Sequence, residues 1–290
     1  MNTAAPLPTL KEKPRYTLGT VLRLIFFLLL TFIVLFPLFA IVLASFKPGT
    51  ELLRTGLNVR WQPEVMSFNN YRLLFEPLES DYMIWFGNSL LITLLQSVLT
   101  LIVSAWVGYG FAMYEFRFKN LLFTCVLIIM MVPMEIIMLP LYQEIVGMKI
   151  IDTVWGIILP FVAMPLPIFF FRQYLSGLPR DLLDAGRVDG SSEYGIFVRI
   201  ILPLMTPAFG AMGIFIGMNC WNNFLWPLIV LRTGSKFTLP IGLNTLLTPY
   251  GNNYDILVAG SVFAIIPIII LFVCFQKYFI AGMTAGSVKG

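Results

Sequence analysis

The sequence predicts an all-α membrane protein, a polytopic bundle of six transmembrane helices with both termini in the cytoplasm. Of its 290 residues, 58% are hydrophobic and only 12% are charged, whereas soluble domains carry about 25% charged residues. Most of the uncharged runs exceed the roughly 20 residues that cross a bilayer. The runs are continuously apolar and do not alternate in polarity, so they predict helices and not the strands of a membrane barrel.

The uncharged runs divide the chain into a tail and one transmembrane domain. Residues 1–17 contain several prolines among small and charged residues, which is typical of a flexible tail. Residues 18–290 form the domain, with spans predicted at 20–46, 83–114, 120–144, 153–173, 200–231 and 256–280. The first run is too long for a cleavable signal and has no small-x-small cleavage site, so we expect it to stay as an anchor.

The distribution of Lys and Arg indicates the orientation of these spans. Cytoplasmic loops of membrane proteins are enriched in Lys and Arg. With the N-terminus inside, the inner segments hold twelve of the nineteen basic residues and the outer segments hold seven. The outer seven are Lys47, Arg54, Arg60, Arg72, Lys149, Arg232 and Lys236.

Several kinds of chemistry are excluded by the residues that the chain lacks. It contains no histidine, which removes His-based triads, HExxH metal sites and histidine proton relays. Its three cysteines fall within predicted spans at a spacing that matches no metal motif. There is no GxxxxGK[ST] phosphate loop. We therefore expect a chain that is not an enzyme, binds no metal or cofactor itself and has no nucleic-acid partner.

The predicted inner loop between the fourth and fifth spans indicates a helix, a break and a second helix. Pro179 suits a first helical turn, and Asp181 and Asp184 favour a helix N-terminus. Gly190 can adopt the left-handed conformation that ends a helix, and Ser191 is predicted to cap the next one.

The first helix of this loop has two distinct faces. Leu182, Ala185 and Val188 share an apolar face, while Asp184 and Arg187 are spaced i,i+3 and can form an ion pair. Such a short amphipathic helix can enter a groove on another protein, or it can rest on lipid headgroups.

The same loop carries a pattern of fixed spacing. Asp184-Ala185-Gly186 is followed after three residues by Gly190, and Ile200-x-Leu202-Pro203 follows after nine more. This resembles the EAA loop of ABC importer permeases, in the carbohydrate subfamily related to the maltose permease pair. Asp184 stands where the motif usually has Glu, and Gly186 where it has Ala. Further similarity lies in Asn88–Leu90, Pro140–Tyr142, Trp221–Leu228, Phe275–Phe279 and Gly282–Gly290.

The resemblance implies a type I ABC importer permease fold in the bacterial plasma membrane. It also implies a second, homologous permease that forms a heterodimer with this chain, two cytoplasmic ATPase subunits, an extracytoplasmic solute-binding protein and a carbohydrate substrate. ATP and Mg²⁺ would then be used by the ATPase subunits. Residues 178–203 would form the loop that couples to them, through Leu183, Asp184, Ala185, Gly186, Asp189, Gly190 and Pro203.

An Asn- and Trp-rich stretch in the fifth span indicates a substrate path. Sugars are bound by amide hydrogen bonds and by stacking on aromatic rings, which predicts contacts from Asn219, Trp221, Asn222, Asn223 and Trp226. The alternative is structural, because Asn also bonds neighbouring helices and Trp also lies at the membrane interface.

The second and third spans add polar candidates. A carboxylate in an apolar span lines a cavity or meets a partner, so Glu135 belongs to the path, to the headgroup region or to the other permease. Pro133, two residues before it, predicts a break in that helix. Asn88, with Ser89 and Gln96, is a further candidate on the second span.

Three other functions compete with this interpretation. One is a permease for a phosphorylated polyol or another polar solute, because a fold does not determine its ligand. An ion-coupled secondary transporter needs intramembrane ionisable residues and internal repeats, but only Glu135 qualifies and no repeat is evident. An intramembrane enzyme would need catalytic groups that the spans do not contain.

Overall fold

The structure, a computed structural model, describes residues 18–77, 80–248 and 251–284. The predicted tail at 1–17 and the end of the similar C-terminal segment lie outside the described residues. The described part is predominantly helical, which confirms the all-α class. A hairpin of two-residue strands, β1 (Leu247–Thr248) and β2 (Gly251–Asn252), is a small addition to it.

Long apolar helices form the frame of the molecule. They are α1 (Leu18–Ala44), α4 (Tyr82–Met113), and the consecutive pair α15 (Tyr254–Phe263) and α16 (Ile265–Thr284). Among the described residues, three helical segments are long and apolar enough to cross a membrane, or up to six if each bent helix pair counts as one span. The six-span topology and the cytoplasmic termini therefore remain predictions.

The third predicted span, at 120–144, is not one straight helix. It consists of α5 (Lys119–Met130) and α6 (Met134–Gly147), which meet at an angle of 106°. Proline has no backbone N–H to continue a helix, and Pro133 lies at the break as the sequence predicted.

Two further predicted spans are also bent, and in each the first turn of the second helix contains a proline. The segment at 153–173 consists of α7 (Val154–Ile158) with a following 3₁₀ turn, and α8 (Pro165–Ser176), at 42°. The segment at 200–231 begins with a 76° bend at Met205, before α12 (Thr206–Trp221), whose first turn contains Pro207. The segment 200–231 is therefore not one straight helix, and its role as a single membrane span stays a prediction.

Short helices complete the fold. Four of them are α2 (Gly49–Thr55), α3 (Asn69–Leu74), α13 (Leu225–Val230) and α14 (Leu239–Thr245). Three lie between α8 and α12, namely α9 (Asp181–Val188), α10 (Glu193–Ile196) and α11 (Leu202–Leu204). A π-helical turn at Phe197–Ile201 joins α10 to α11.

Helix α4 is the central element, and α8, α12 and α14 pack against it. Close packing between helices in membranes depends on small residues. A Cβ atom added at Gly108 of α4 would lie 2.7 Å from Cβ of Phe171, and one added at Gly242 of α14 would lie 2.0 Å from the Trp85 ring. The packing is supported by the Thr100 hydroxyl, which donates to the Phe161 carbonyl at 3.0 Å.

Polar contacts divide the connecting segments into two groups, one at each end of the bundle. At one end, Asp152 accepts hydrogen bonds from the backbone of Arg232 (2.9 Å) and from Lys236 (3.0 Å). At the other end, Arg180 forms an ion pair with Glu115 (3.0 Å). Each group contains segments that the charge distribution assigned to the same side of the membrane.

Candidate functional site

A cavity of about 1000 Å³ lies beside the broken helices and collects most of the predicted path residues. Its wall is mainly apolar, with contributions from α4, α5, α6, α8, α12 and α13. The polar residues on the wall are Gln96, Glu135, Asn219, Asn222 and Asn223, and the predicted Trp226 also contributes.

The break between α12 and α13 exposes the asparagines to this cavity. The Asn219 and Asn222 side chains donate their amide N–H groups to the carbonyls four residues earlier, Phe215 (2.8 Å) and Met218 (2.9 Å). Each contact uses one of the two amide N–H donors and leaves the side-chain oxygen as an acceptor. Both residues are exposed, so the pair presents amide oxygens to whatever fills the cavity.

The position of the break follows from the local sequence. Asn side chains that bond to the backbone compete with helix continuation, and α12 ends directly before Asn222. Pro227 in the next helix cannot donate to a carbonyl four residues before it. The chain therefore leaves the helical path for three residues and re-enters it at Leu225.

Glu135 lies in the first turn of α6 and also lines the cavity. A carboxylate is stabilised at that position by the helix dipole, which is positive at the N-terminus. Its side chain is exposed and makes no hydrogen bond or ion pair with the part of the chain that the structure describes. The carboxylate is thus free to meet a solute, lipid headgroups or a second subunit.

Gln96 is the buried polar residue of the wall. It lies on α4 with 4% of its surface exposed and lines the cavity. The sequence predicted it as a further candidate on the second span, although glutamine also bonds across helices.

The two tryptophans predicted for the substrate path, Trp221 and Trp226, are buried and donate hydrogen bonds to backbone carbonyls. The Trp221 indole is 5% exposed and donates to the Ala264 carbonyl at 3.1 Å. The Trp226 indole is 1% exposed and donates to the Gly156 carbonyl at 3.1 Å. Neither ring offers an open face for stacking on a sugar within the chain, and Trp221 does not line the cavity.

Asn88 also lies away from the cavity. Its amide donates to the carbonyls of Ser235 (2.9 Å) and Phe237 (3.0 Å). The neighbouring Ser89 hydroxyl accepts a hydrogen bond from the Leu239 backbone at 2.7 Å. Both residues hold the segment before α14 against α4 and serve packing.

The second candidate region is the segment 178–203, called the coupling loop below. Helix α9 packs on the following helical turns through Leu183 and Gly186, both buried. Gly190 has φ +76°, the left-handed conformation that its position predicted. The cap of α10 is Ser192 and not the predicted Ser191, since the Ser192 hydroxyl accepts from the Gly195 backbone at 3.1 Å.

The outer face of α9 is open. Asp184, Ala185 and Asp189 are exposed, and Val188 has 87% of its surface exposed. Pro203 lies further along the chain in α11, at the end of the helical segment before the bend at Met205.

Arg187 connects the two helices of the coupling loop. Its guanidinium pairs with Asp184 at 3.0 Å, as the i,i+3 spacing predicted, and with Glu193 at 2.7 Å. The pKa of the Glu193 carboxyl is lowered, first by its hydrogen bond from Arg187 and then by that from Tyr114. Because Tyr114 directly follows α4, the loop is connected to the central helix as well as to α12.

A polar cluster around Asp152, at the other end of the bundle, was not predicted from the sequence. Asp152 has φ +56°, and Asp is one of the residues that tolerates this conformation. Its carboxylate accepts from the Arg232 and Thr233 backbones and from Lys236, contacts that hold its pKa below the ordinary range. The partners lie 80 or more residues away, too far for a local pattern.

Metal binding finds no support in the described residues. Within 18–77, 80–248 and 251–284, no group of three or more Cys, Asp or Glu side chains is arranged to hold a metal ion.

Residues 101–285 match the family described as "Binding-protein-dependent transport system inner membrane component". The chain is 56% identical over 281 residues to the arabinooligosaccharides transport system permease protein AraQ of Bacillus subtilis, covering 97% of this chain and 100% of that protein. It is 32% identical to the lactose transport system permease protein LacG of Rhizobium radiobacter, covering 90% of this chain and 93% of LacG.

A solved structure shows the same fold. It is a bacterial ABC transporter involved in the import of the acidic polysaccharide alginate. One of its chains superposes with a TM-score of 0.79 at 21% identity, covering 92% of this chain and 100% of that chain. The type I permease fold implied by the resemblance agrees with this similarity.

Proposed function

This chain belongs to the family of binding-protein-dependent transport system inner membrane components, and we propose that it is the permease subunit of an ATP-driven importer for an oligosaccharide. The observation that carries the proposal is the 56% identity to an arabinooligosaccharide permease along nearly the whole of both chains. Arabinooligosaccharides are therefore the first substrates to test.

The cavity of about 1000 Å³ is this chain's share of the translocation path in the proposal. Neutral sugars are held by many hydrogen bonds, so amide oxygens and a carboxylate above an apolar wall suit them. Asn219 and Asn222 would accept hydrogen bonds from sugar hydroxyls, and Asn223 and Glu135 on the same cavity wall would add further polar contacts. The amide of Gln96 would contribute from the buried wall.

A second, homologous permease would complete the path as a heterodimer. Helix α5 borders the cavity and has no buried residue in this chain. The part of its apolar surface that borders the cavity would contact the second permease, and the rest would contact lipid. A partner across the cavity would also provide the aromatic stacking that the buried tryptophans do not offer.

The coupling loop would transmit ATP-driven motion from two cytoplasmic ATPase subunits. The exposed Asp184, Ala185 and Asp189 would contact an ATPase, while the buried Leu183 and Gly186 would hold α9 to its neighbour. Gly190 would set the turn between the helices, and Pro203 would lie where the motion enters the membrane segment. ATP and Mg²⁺ would be bound by the ATPase subunits, and an extracytoplasmic solute-binding protein would deliver the sugar.

Uptake into liposomes tests this function. The chain is reconstituted with its co-encoded permease, ATPase and binding protein, and labelled arabinooligosaccharides, galactooligosaccharides and lactose are offered with and without ATP. We expect ATP-dependent accumulation of an arabinooligosaccharide. Uptake that is indifferent to ATP would contradict the importer, and ATP-dependent uptake of a non-sugar solute would contradict the substrate class.

A further inference from the structure

A second, smaller cavity of about 290 Å³ lies at the coupling-loop end of the bundle, outside the proposed path. It is bounded by the end of α4, the start of α5 and the end of α8 with the turn that follows. Three basic side chains, Lys119, Arg172 and Arg180, line it together with one carboxylate, Glu115.

The charges in this cavity are only partly balanced. Lys119 (3.1 Å) and Arg180 (3.0 Å) both contact the same oxygen of Glu115. These contacts lower the pKa of Glu115, so the carboxylate is ionised at neutral pH. One negative charge therefore stands against three positive ones, which leaves the cavity electropositive.

Arg172 is held so that one of its donors lacks a partner. Its guanidinium lies 4.4 Å from the centre of the Phe123 ring, and Nη1 donates to the Gln173 side chain at 3.1 Å. Its Nε is buried and has no hydrogen-bond partner among the described residues. Nε lies out of reach of a ligand, but Nη2 makes no hydrogen bond within the described residues and is not buried, so it can donate to an oxygen-bearing anion in the cavity.

The first turn of α5 adds to the positive potential. Lys119 and Asn120 begin this 12-residue helix and line the cavity. The N–H groups of a first turn have no partner within the helix, and the helix dipole is positive there, which favours phosphate groups.

The surroundings of the cavity identify the source of the anion. Phe116, Phe118, Leu121 and Leu122 are exposed beside it, and the last two continue into the apolar face of α5. An amphiphile can therefore place a charged head in the cavity and its acyl chains along that helix. The segments that form the cavity are those that the charge distribution assigns to the cytoplasmic side, and basic pockets between helices there suit anionic headgroups.

We propose that this cavity binds the phosphate group of an anionic phospholipid, with Arg172 and Arg180 as its principal ligands. Lys119 and the first turn of α5 complete the site, and Glu115 limits its affinity by occupying two of the cations. The inference concerns lipid and not the transported solute, so it is independent of the proposed sugar.

Native mass spectrometry of the purified transporter complex tests the proposal. The complex is titrated with short-chain phosphatidylglycerol, with short-chain phosphatidylcholine and with inorganic phosphate. We expect phosphatidylglycerol to be retained in preference to phosphatidylcholine, and Arg172→Gln or Arg180→Gln to weaken its binding about tenfold. Glu115→Gln should strengthen it about threefold, because Lys119 and Arg180 are then released.

Arg117→Gln provides the matched control. Arg117 is an exposed arginine over a neighbouring phenylalanine ring (4.9 Å) and does not line the cavity, so binding should stay within twofold. Equal retention of both lipids, or equal losses in Arg117→Gln and Arg172→Gln, would overturn the site. Displacement of phosphatidylglycerol by millimolar inorganic phosphate would show that the bound phosphate group does not come from a lipid.

A complex that transports another solute but retains the lipid would leave this inference standing, since lipid binding is measured without transport.

Discussion

Functional roles were predicted for both the coupling loop and the Asn–Trp segment, residues 219–226. The side-chain contacts of the coupling loop follow from local spacing, whereas those of the two tryptophans in the Asn–Trp segment depend on distant residues. In the coupling loop, Asp184 and Arg187 pair three residues apart, and Gly190 has the expected left-handed backbone. In the Asn–Trp segment, the indoles of Trp221 and Trp226 bond to carbonyls 43 and 70 residues away. Geometry set by neighbours within one helical turn can be read from a sequence, whereas the direction of a side chain at a helix break depends on distant partners.

The largest expected effect is the loss of transport when the coupling loop is changed. Two variants distinguish a defect in ATPase docking from a defect in the packing of α9. A Cβ atom at Gly186 would lie 2.9 Å from Cγ1 of Ile196, so Gly186→Leu must push α9 off its neighbour. Overpacking of this kind costs about 1–3 kcal/mol. We expect transport to fall more than tenfold and the Tm of the chain, measured without the ATPase subunits, to drop.

The matched variant is Ala185→Leu, one residue away on the exposed side of the helix. Transport should fall as far, because the ATPase contact is blocked, but the Tm should not change. Full transport in Ala185→Leu would break the proposed docking face, and an unchanged Tm in Gly186→Leu would break the packing argument.

The next effect concerns the amide oxygens of the cavity. Asn222→Ala removes an acceptor that faces the cavity, and one hydrogen bond contributes about 1 kcal/mol, which is roughly a fivefold change in affinity. We therefore expect the KM for sugar uptake to rise about fivefold with little change in Tm, as measured in the liposome assay.

Asn88→Ala is the control for that measurement. Asn88 donates to two carbonyls outside the cavity, so its loss should lower the Tm and leave the KM unchanged. If the two variants exchanged these effects, the assignment of Asn222 to the path would fail.

A smaller effect tests the role of the buried tryptophans. Trp226→Phe keeps an aromatic ring but leaves the Gly156 carbonyl without its donor. An unsatisfied buried group costs about 1–3 kcal/mol, so the Tm should fall while the KM stays within twofold. A large rise in KM at unchanged Tm would restore the stacking role that the residue type first indicated.

These contrasts show how much of the molecule could be predicted. The apolar runs predicted the all-α class, and Pro133 predicted the break between α5 and α6. The bend at Met205 was missed because the apolar run continues through it while Pro207 starts a new helix.

Only some of the predicted site residues line the cavity. Four of the predicted path residues line the cavity, namely Glu135, Asn219, Asn222 and Asn223. They could be singled out from the sequence because polar side chains are rare within apolar membrane segments. Asn88 and Trp221 have the same chemistry but lie elsewhere. Only the positions of Ser235 and Ala264, fixed by the tertiary fold, distinguish the two sets.

The smallest expected effect concerns the ion pairs of Arg187. The pair with Glu193 is about half exposed, and exposed pairs contribute little because water and salt screen them. The lowered pKa of Glu193 means that the charged pair is present above the ordinary pKa of about 4.3 and is lost only as the pH falls below it. Between pH 8 and pH 6 we expect no change in the ATP hydrolysed per sugar transported.

Arg187→Gln should raise the ATP hydrolysed per sugar less than twofold, and more at low salt than at high salt. A tenfold rise that is insensitive to salt would show that Arg187 acts through a direct ATPase contact and not through the link between α9 and α10.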